Sequence, residues 1–193
     1  MWVLMLALTA HGGNLTIAES ADAVGETNIV YGGSGQVVLA PGNSATFVKV
    51  GGWGRYGMSD TVDLHGKLFT TLVGNLDFGV SGGAKLQLMG NRNRSGAQMS
   101  VGGLLGMTLA GTSNPIQLQV PYTIGYRTSP DFAIYGRPFV EMDYYFGAGI
   151  VYGFGGAAGA ELSGVVPLNF EVEYTQFGPV SFLGFTVGTN IKF

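Results

Sequence analysis

One pattern runs along most of this sequence: apolar and polar residues alternate with period 2. In residues 116–127, Ile116, Leu118, Val120, Tyr122, Ile124 and Tyr126 fall on one face, and Gln117, Gln119, Pro121, Thr123, Gly125 and Arg127 on the other. Successive strand residues point to opposite sides of a sheet, so this alternation specifies β-strands with one apolar face. Val166, Leu168, Phe170, Val172 and Tyr174 repeat it, as do Leu183, Phe185, Val187, Thr189, Ile191 and Phe193, and Val140, Met142, Tyr144 and Phe146. Upstream, Val62, Leu64, Leu68 and Leu72 oppose Asp63, His65, Lys67 and Thr71. The phase continues through Leu76, Phe78 and Val80 to Leu86 and Leu88, which a three-residue turn at Val73-Gly74-Asn75 would preserve. No segment holds a 3.6-residue apolar stripe free of glycine, so no helix of ordinary length is expected.

Turn residues interrupt the pattern at 41–43, 55–60, 90–95, 111–115, 128–131, 155–159 and 176–179. They delimit strands over 45–54, 62–72, 76–89, 97–109, 116–127, 132–146, 148–154, 165–175 and 180–193, with a weaker one over 29–40. The expected fold is all-β: an antiparallel barrel of 8–10 strands, ten on the full parse. A length of 193 residues suits one domain, with residues 1–28 as a signal-like or mobile leader and 29–193 as the barrel. The apolar start, MWVLMLALTA, is too short to span a bilayer as a helix and lacks a basic n-region. Residues 12–28 read as a mobile leader or periplasmic tail.

The alternation alone leaves open which solvent the apolar face meets. A soluble barrel turns it inward; a membrane barrel turns it toward lipid. Charge density favours lipid. Only 11% of residues are charged, against about 25% in ordinary soluble domains, and many of them stand singly within strands. Tyr126, Tyr144, Tyr152, Tyr174 and Trp53 would supply interfacial aromatic girdles. The 34 glycines suit a tightly curved barrel with close backbone approach. The absence of cysteine excludes a disulfide framework and cysteine-based metal or nucleophilic chemistry, and two histidines leave no histidine-rich metal site. No cofactor and no metal are expected. A net charge of −3 argues against nucleic acid as a partner.

The last strand adds specificity. Its alternation through Phe185, Val187 and Ile191 to a terminal Phe193 resembles the C-terminal strand of bacterial outer-membrane β-barrel proteins. The resemblance covers residues 29–193 as a pattern. It implies a bacterial outer-membrane location, contact with outer-membrane lipid and lipopolysaccharide, and Phe185, Val187, Ile191 and Phe193 as a signal read by the barrel assembly machinery. It also implies that both termini are periplasmic. Leu8-Thr9-Ala10-His11-Gly12 resembles a lipoprotein processing site in which His11 replaces the lipidated cysteine, and so cannot carry the lipid.

With the polar face inward, Lys49, Lys67, Lys85, Arg127 and Lys192 share a lumen with Asp63, Asp77, Glu141, Asp143, Glu171 and Glu173. Buried charges must be paired or hydrated, so these should form a salt-bridged network. Asn91-Arg92-Asn93-Arg94 forms a basic, solvated turn. His65 is the weak catalytic candidate, since barrels resembling lipid A deacylase or palmitoyltransferase use His with Ser and acidic groups; Asp63 and Lys67 share its face, and Ser59 and Ser81 are possible nucleophiles in number only. The expected role is structural, surface interaction or narrow passage of a small solute. The alternatives are a soluble periplasmic lipid-binding barrel and an outer-membrane lipid-modifying enzyme.

Overall fold

A computed structural model describes residues 20–41, 45–73, 77–91, 94–109, 114–164 and 167–192. The turn expected at Val73-Gly74-Asn75, the terminal Phe193 and the leader up to residue 19 lie outside or partly outside these residues. The strands are β1 (Ile29–Ala40), β2 (Ala45–Gly57), β3 (Val62–Val73), β4 (Phe78–Met89) and β5 (Gly96–Leu109). They continue as β6 (Ile116–Ser129), β7 (Phe132–Tyr145), β8 (Gly149–Leu162), β9 (Leu168–Phe177) and β10 (Val180–Lys192). Each pairs antiparallel with its chain neighbour, and β1 closes on β10, giving a ten-stranded barrel without a free edge. The full parse of ten strands therefore holds, and 29–40 is one of them. A strand of 12 residues is about 40 Å long and, tilted by about 40°, spans about 30 Å, the thickness of a bilayer core.

Side-chain burial settles the sidedness. Along β3, Leu64, Leu68 and Leu72 are 43%, 54% and 58% exposed, while Asp63, His65, Lys67, Phe69 and Thr71 are buried. Every charged side chain described within the ten strands is buried, Arg127 and Asp63 completely. The outer wall carries Leu, Val, Ile, Phe and Tyr all the way round. A continuous apolar belt of this extent has no place on a soluble monomer, so the chain is a transmembrane β-barrel. The soluble lipid-binding alternative requires the opposite arrangement.

Three expectations need correction. Residues 155–159 are not a turn: β8 runs on to Leu162, and the chain turns after it. Trp53 is not in an outer girdle but points inward, 6% exposed. Both follow from one packing device. Five inward aromatic rings lie over glycines directly opposite on the neighbouring strand: Trp53 over Gly32, Phe69 over Gly79, Tyr135 over Gly159, Phe139 over Gly155, and Phe177 over Gly153. A Cβ on Gly79 would stand 1.8 Å from the Phe69 ring, and one on Gly155 2.5 Å from the Phe139 ring. Three glycines of β8 are therefore landing sites for rings, with no turn to make.

The third correction concerns the tail. Residues 20–24 are not a loose leader but lie buried inside the barrel. The chain leaves the lumen through a turn at residues 25–28, where Gly25 takes φ +87° and Asn28 N–H donates to Gly25 C=O (3.2 Å). It then enters β1 beside Gly57, whose missing side chain leaves room for the Gly25 carbonyl.

Replacing Gly79 with Ala should destabilise the barrel by about 1–3 kcal/mol through overlap with Phe69. Gly66→Ala, on the open outer face, should change stability by less than about 0.5 kcal/mol. Equilibrium unfolding in lipid or detergent, followed by tryptophan fluorescence, compares the two.

Candidate functional site: the lumen

Period 2 sends every second residue inward, and the closed sheet brings residues far apart in sequence to one lumen. At the end where β1 begins and β10 ends (the terminus end), six strands contribute seven inward polar residues: Arg55 (β2), Asp63 (β3), Lys85 and Gln87 (β4), Gln98 (β5), Arg127 (β6) and Glu161 (β8). All seven converge on residues 20–24. Arg127 Nε and Nη2 reach Asp22 Oδ2 at 2.9 and 2.7 Å, and Gln98 Nε2 donates to the same oxygen at 2.8 Å. Arg127 Nη2 also meets Glu161 Oε1 at 3.3 Å, and Ser20 Oγ donates to Glu161 Oε2 at 2.7 Å. Arg55 Nη2 bonds Asp63 Oδ2 at 2.5 Å, with Lys85 Nζ 3.7 Å from that oxygen.

This cluster balances three cations, Arg55, Lys85 and Arg127, against three carboxylates, Asp22, Asp63 and Glu161. Balance matters because a buried charge left alone costs several kcal/mol. Without Asp22 the barrel wall alone would carry an excess of positive charge at this mouth.

Deeper in the lumen, Arg137 (β7) bonds Glu171 at 2.5 Å and approaches Glu173 at 4.0 Å, both on β9. Thr175 Oγ1 donates to Glu173 Oε1 (3.1 Å), and Gln119 Nε2 to Glu141 Oε2 (3.4 Å). Lys49, Lys67, Asp77 and Asp143 are buried in the same interior. At the far end the lining changes character. Val38, Ala40, Phe47, Phe177, Val180 and Phe182 form an apolar cluster inside the barrel, with Val151 packed against it.

Three cavities along the lumen measure about 20, 10 and 10 Å³, each room for roughly one water. The first is lined by His65, Lys67, Lys85, Ser100, Thr123 and Arg137 among others, so His65 faces the lumen among cations and away from lipid. Ser81 is inward and opposite Lys67, while Ser59 accepts hydrogen bonds from Thr61 and Val62 N–H in the β2–β3 turn. His65 is not joined to either serine. A larger cavity, about 440 Å³, opens beside residues 23–25 at the terminus end.

The structure places Lys49, Asp63, Lys67, Asp77, Lys85, Arg127, Glu141, Asp143, Glu171 and Glu173 inside the barrel, divided between two clusters. For Lys192 only the backbone is described. Phe185, Val187 and Ile191 face outward. Four partners escape the sequence reading: Asp22, Arg55, Arg137 and Glu161. Arg137 shares the parity of Glu141 on one strand, which is signal enough to find it. Arg55 and Glu161 are hidden because their segments look like turns. Exposed charges among the described residues, Glu26, Asp60, Arg94 and Asp131, all stand at the terminus end.

No known protein family and no curated protein matches the sequence. Among solved structures the chain is similar to a de novo designed transmembrane β-barrel, with 16% identity over 88% of this chain and 99% of that one, TM-score 0.38. It is also similar to the N-terminal β-barrel domain of Pseudomonas aeruginosa OprF (15% identity, 86% and 99% coverage, TM-score 0.42). A third is Ail, the attachment invasion locus protein of Yersinia pestis (11% identity, 87% and 99% coverage, TM-score 0.37).

Arg127→Met should leave the Asp22 carboxylate buried without the guanidinium that pairs it and lower stability by about 3–5 kcal/mol. Adding Asp22→Asn should recover part of the loss. Unfolding midpoints of the two variants and the wild type in detergent test this.

Proposed function

We propose that the chain is a bacterial outer-membrane barrel held shut, with a structural or surface role in the envelope and no free passage of solutes in this state. The observation that carries the reading is the occupied lumen: residues 20–24 lie buried in one end, an apolar cluster packs inside the other, and three cavities along the lumen hold about one water each. A ten-stranded barrel is wider than the eight-stranded kind that side chains alone can fill, so the added segment is what completes the packing. In the proposed orientation the start of β1 and the end of β10 face the periplasm, and the polar closure lies on that side. The opposite turns are short and, in sequence, carry no charge between residues 41–44, 74–76, 110–115, 146–148 or 178–179. Such a rim suits a lipid-seated barrel better than a loop-built adhesin. The outward face of β10 supports delivery by the barrel assembly machinery, with lipid and lipopolysaccharide as the surrounding partners.

His65 does not support a lipid-modifying role, because it points into the lumen while acyl chains lie on the other side of the wall.

The detergent-extracted outer-membrane fraction should contain the protein as a heat-modifiable band. In planar bilayers it should show no steady ion steps. A sustained open conductance of the wild type would overturn the closed reading, and recovery in the soluble fraction would overturn the location.

A further inference from the structure

We infer that the terminus-end mouth is a peptide-binding site, with residues 20–24 as its resident occupant, exchangeable for a short acidic peptide of another chain. The inference rests on residues 20–24 being a closure and names what displaces them.

The wall reads a main chain as well as a charge. Lys85 Nζ donates to the carbonyls of Ser20 (3.3 Å) and Asp22 (2.7 Å), and Arg55 Nη2 to the latter at 2.6 Å. In the other direction, Ala23 N–H donates to Gln87 Oε1 (2.7 Å), and Val24 N–H to both oxygens of Asp63 (3.0 and 3.2 Å). A bare anion would use the donors and leave these acceptors idle. Donors and acceptors together on one wall are the complement of main-chain carbonyls and N–H groups, here those of a segment that bends at Ala21.

One side chain is read specifically. The Asp22 carboxylate is fully buried between Arg127 and Gln98. Its neighbours Ala21 and Ala23 are 0% and 6% exposed, leaving little room for anything larger. The site therefore selects an Asp flanked by small residues.

The occupant is not part of the barrel sheet. It joins β1 through residues 25–28, and the cavity of about 440 Å³ beside it opens a way in from the soluble side. The tether gives the resident segment a high effective concentration, so an outside peptide competes poorly until the segment is weakened. Each copy already holds its own segment in its own mouth, so the competing peptide belongs to a different protein.

The test uses the full-length protein in detergent micelles and a fluorescein-labelled peptide with the sequence of residues 19–26, read by fluorescence anisotropy. Asp22→Lys sets a cation against Arg127, Arg55 and Lys85 and expels the segment. Peptide affinity should rise at least tenfold over the wild type. A peptide with Asn in place of its Asp should bind the variant at least tenfold more weakly. Should Asp22→Lys fail to fold, Gly57→Val carries the same test, since a side chain there meets the Gly25 carbonyl and leaves the cradle's charges intact. A variant with heat-modifiable mobility that binds neither peptide, or both equally, would overturn the inference. That result would leave the closed barrel standing, whereas wild-type conductance would remove the closure itself.

Discussion

Hydrocarbon offers no hydrogen-bond partner, and each unmet backbone group placed in it costs several kcal/mol. The pairing of β1 with β10, from Val30 opposite Lys192 to Leu39 opposite Leu183, meets that constraint by removing the last free edges. Once the sheet closes, the pleat leaves no choice: alternate residues face lipid, and the rest share one enclosed space. The apolar belt and the buried charges are thus two consequences of one closure.

The enclosed space sets a second problem, which is volume. Five aromatic rings laid over opposing glycines bring bulk inward without pushing neighbouring strands apart. Five of the 34 glycines find their reason here. The remaining volume holds charge, and charge needs partners. Arg137 with Glu171 and Glu173 settles part of it within the wall. At the terminus end, Arg127 obtains its second carboxylate only from Asp22, which is not on a strand at all. Stability and closure are therefore linked at that mouth: whatever withdraws Asp22 both opens space and unbalances charge.

The sequence made the outer wall legible because lipid imposes one rule on every strand. Residues 116–127 and 168–175 could be assigned to faces from parity alone, and so could Asp63, Lys67, Glu171 and Glu173. The reading fails where glycine has two meanings. Gly155, Gly156 and Gly159 look like a turn, and only the rings of Phe139 and Tyr135 on the adjoining strand show them to be β8. That error concealed Glu161. The segment around Asp22 was illegible for another reason: it follows no period, and its cation lies 105 residues away. Trp53 was misplaced because an aromatic near a strand end suits a girdle as readily as a lumen.

The sidedness of the wall can be measured directly. The chain has no cysteine, so single cysteines can be placed one at a time along residues 63–72 of β3 and spin-labelled in the lipid-embedded protein. Collision with oxygen dissolved in lipid should be high at positions 64, 66, 68, 70 and 72 and low at 63, 65, 67, 69 and 71, in strict alternation. A scan with no period of two, or one in which the even positions meet a water-soluble nickel reagent in place of oxygen, would contradict a barrel turned outward toward lipid.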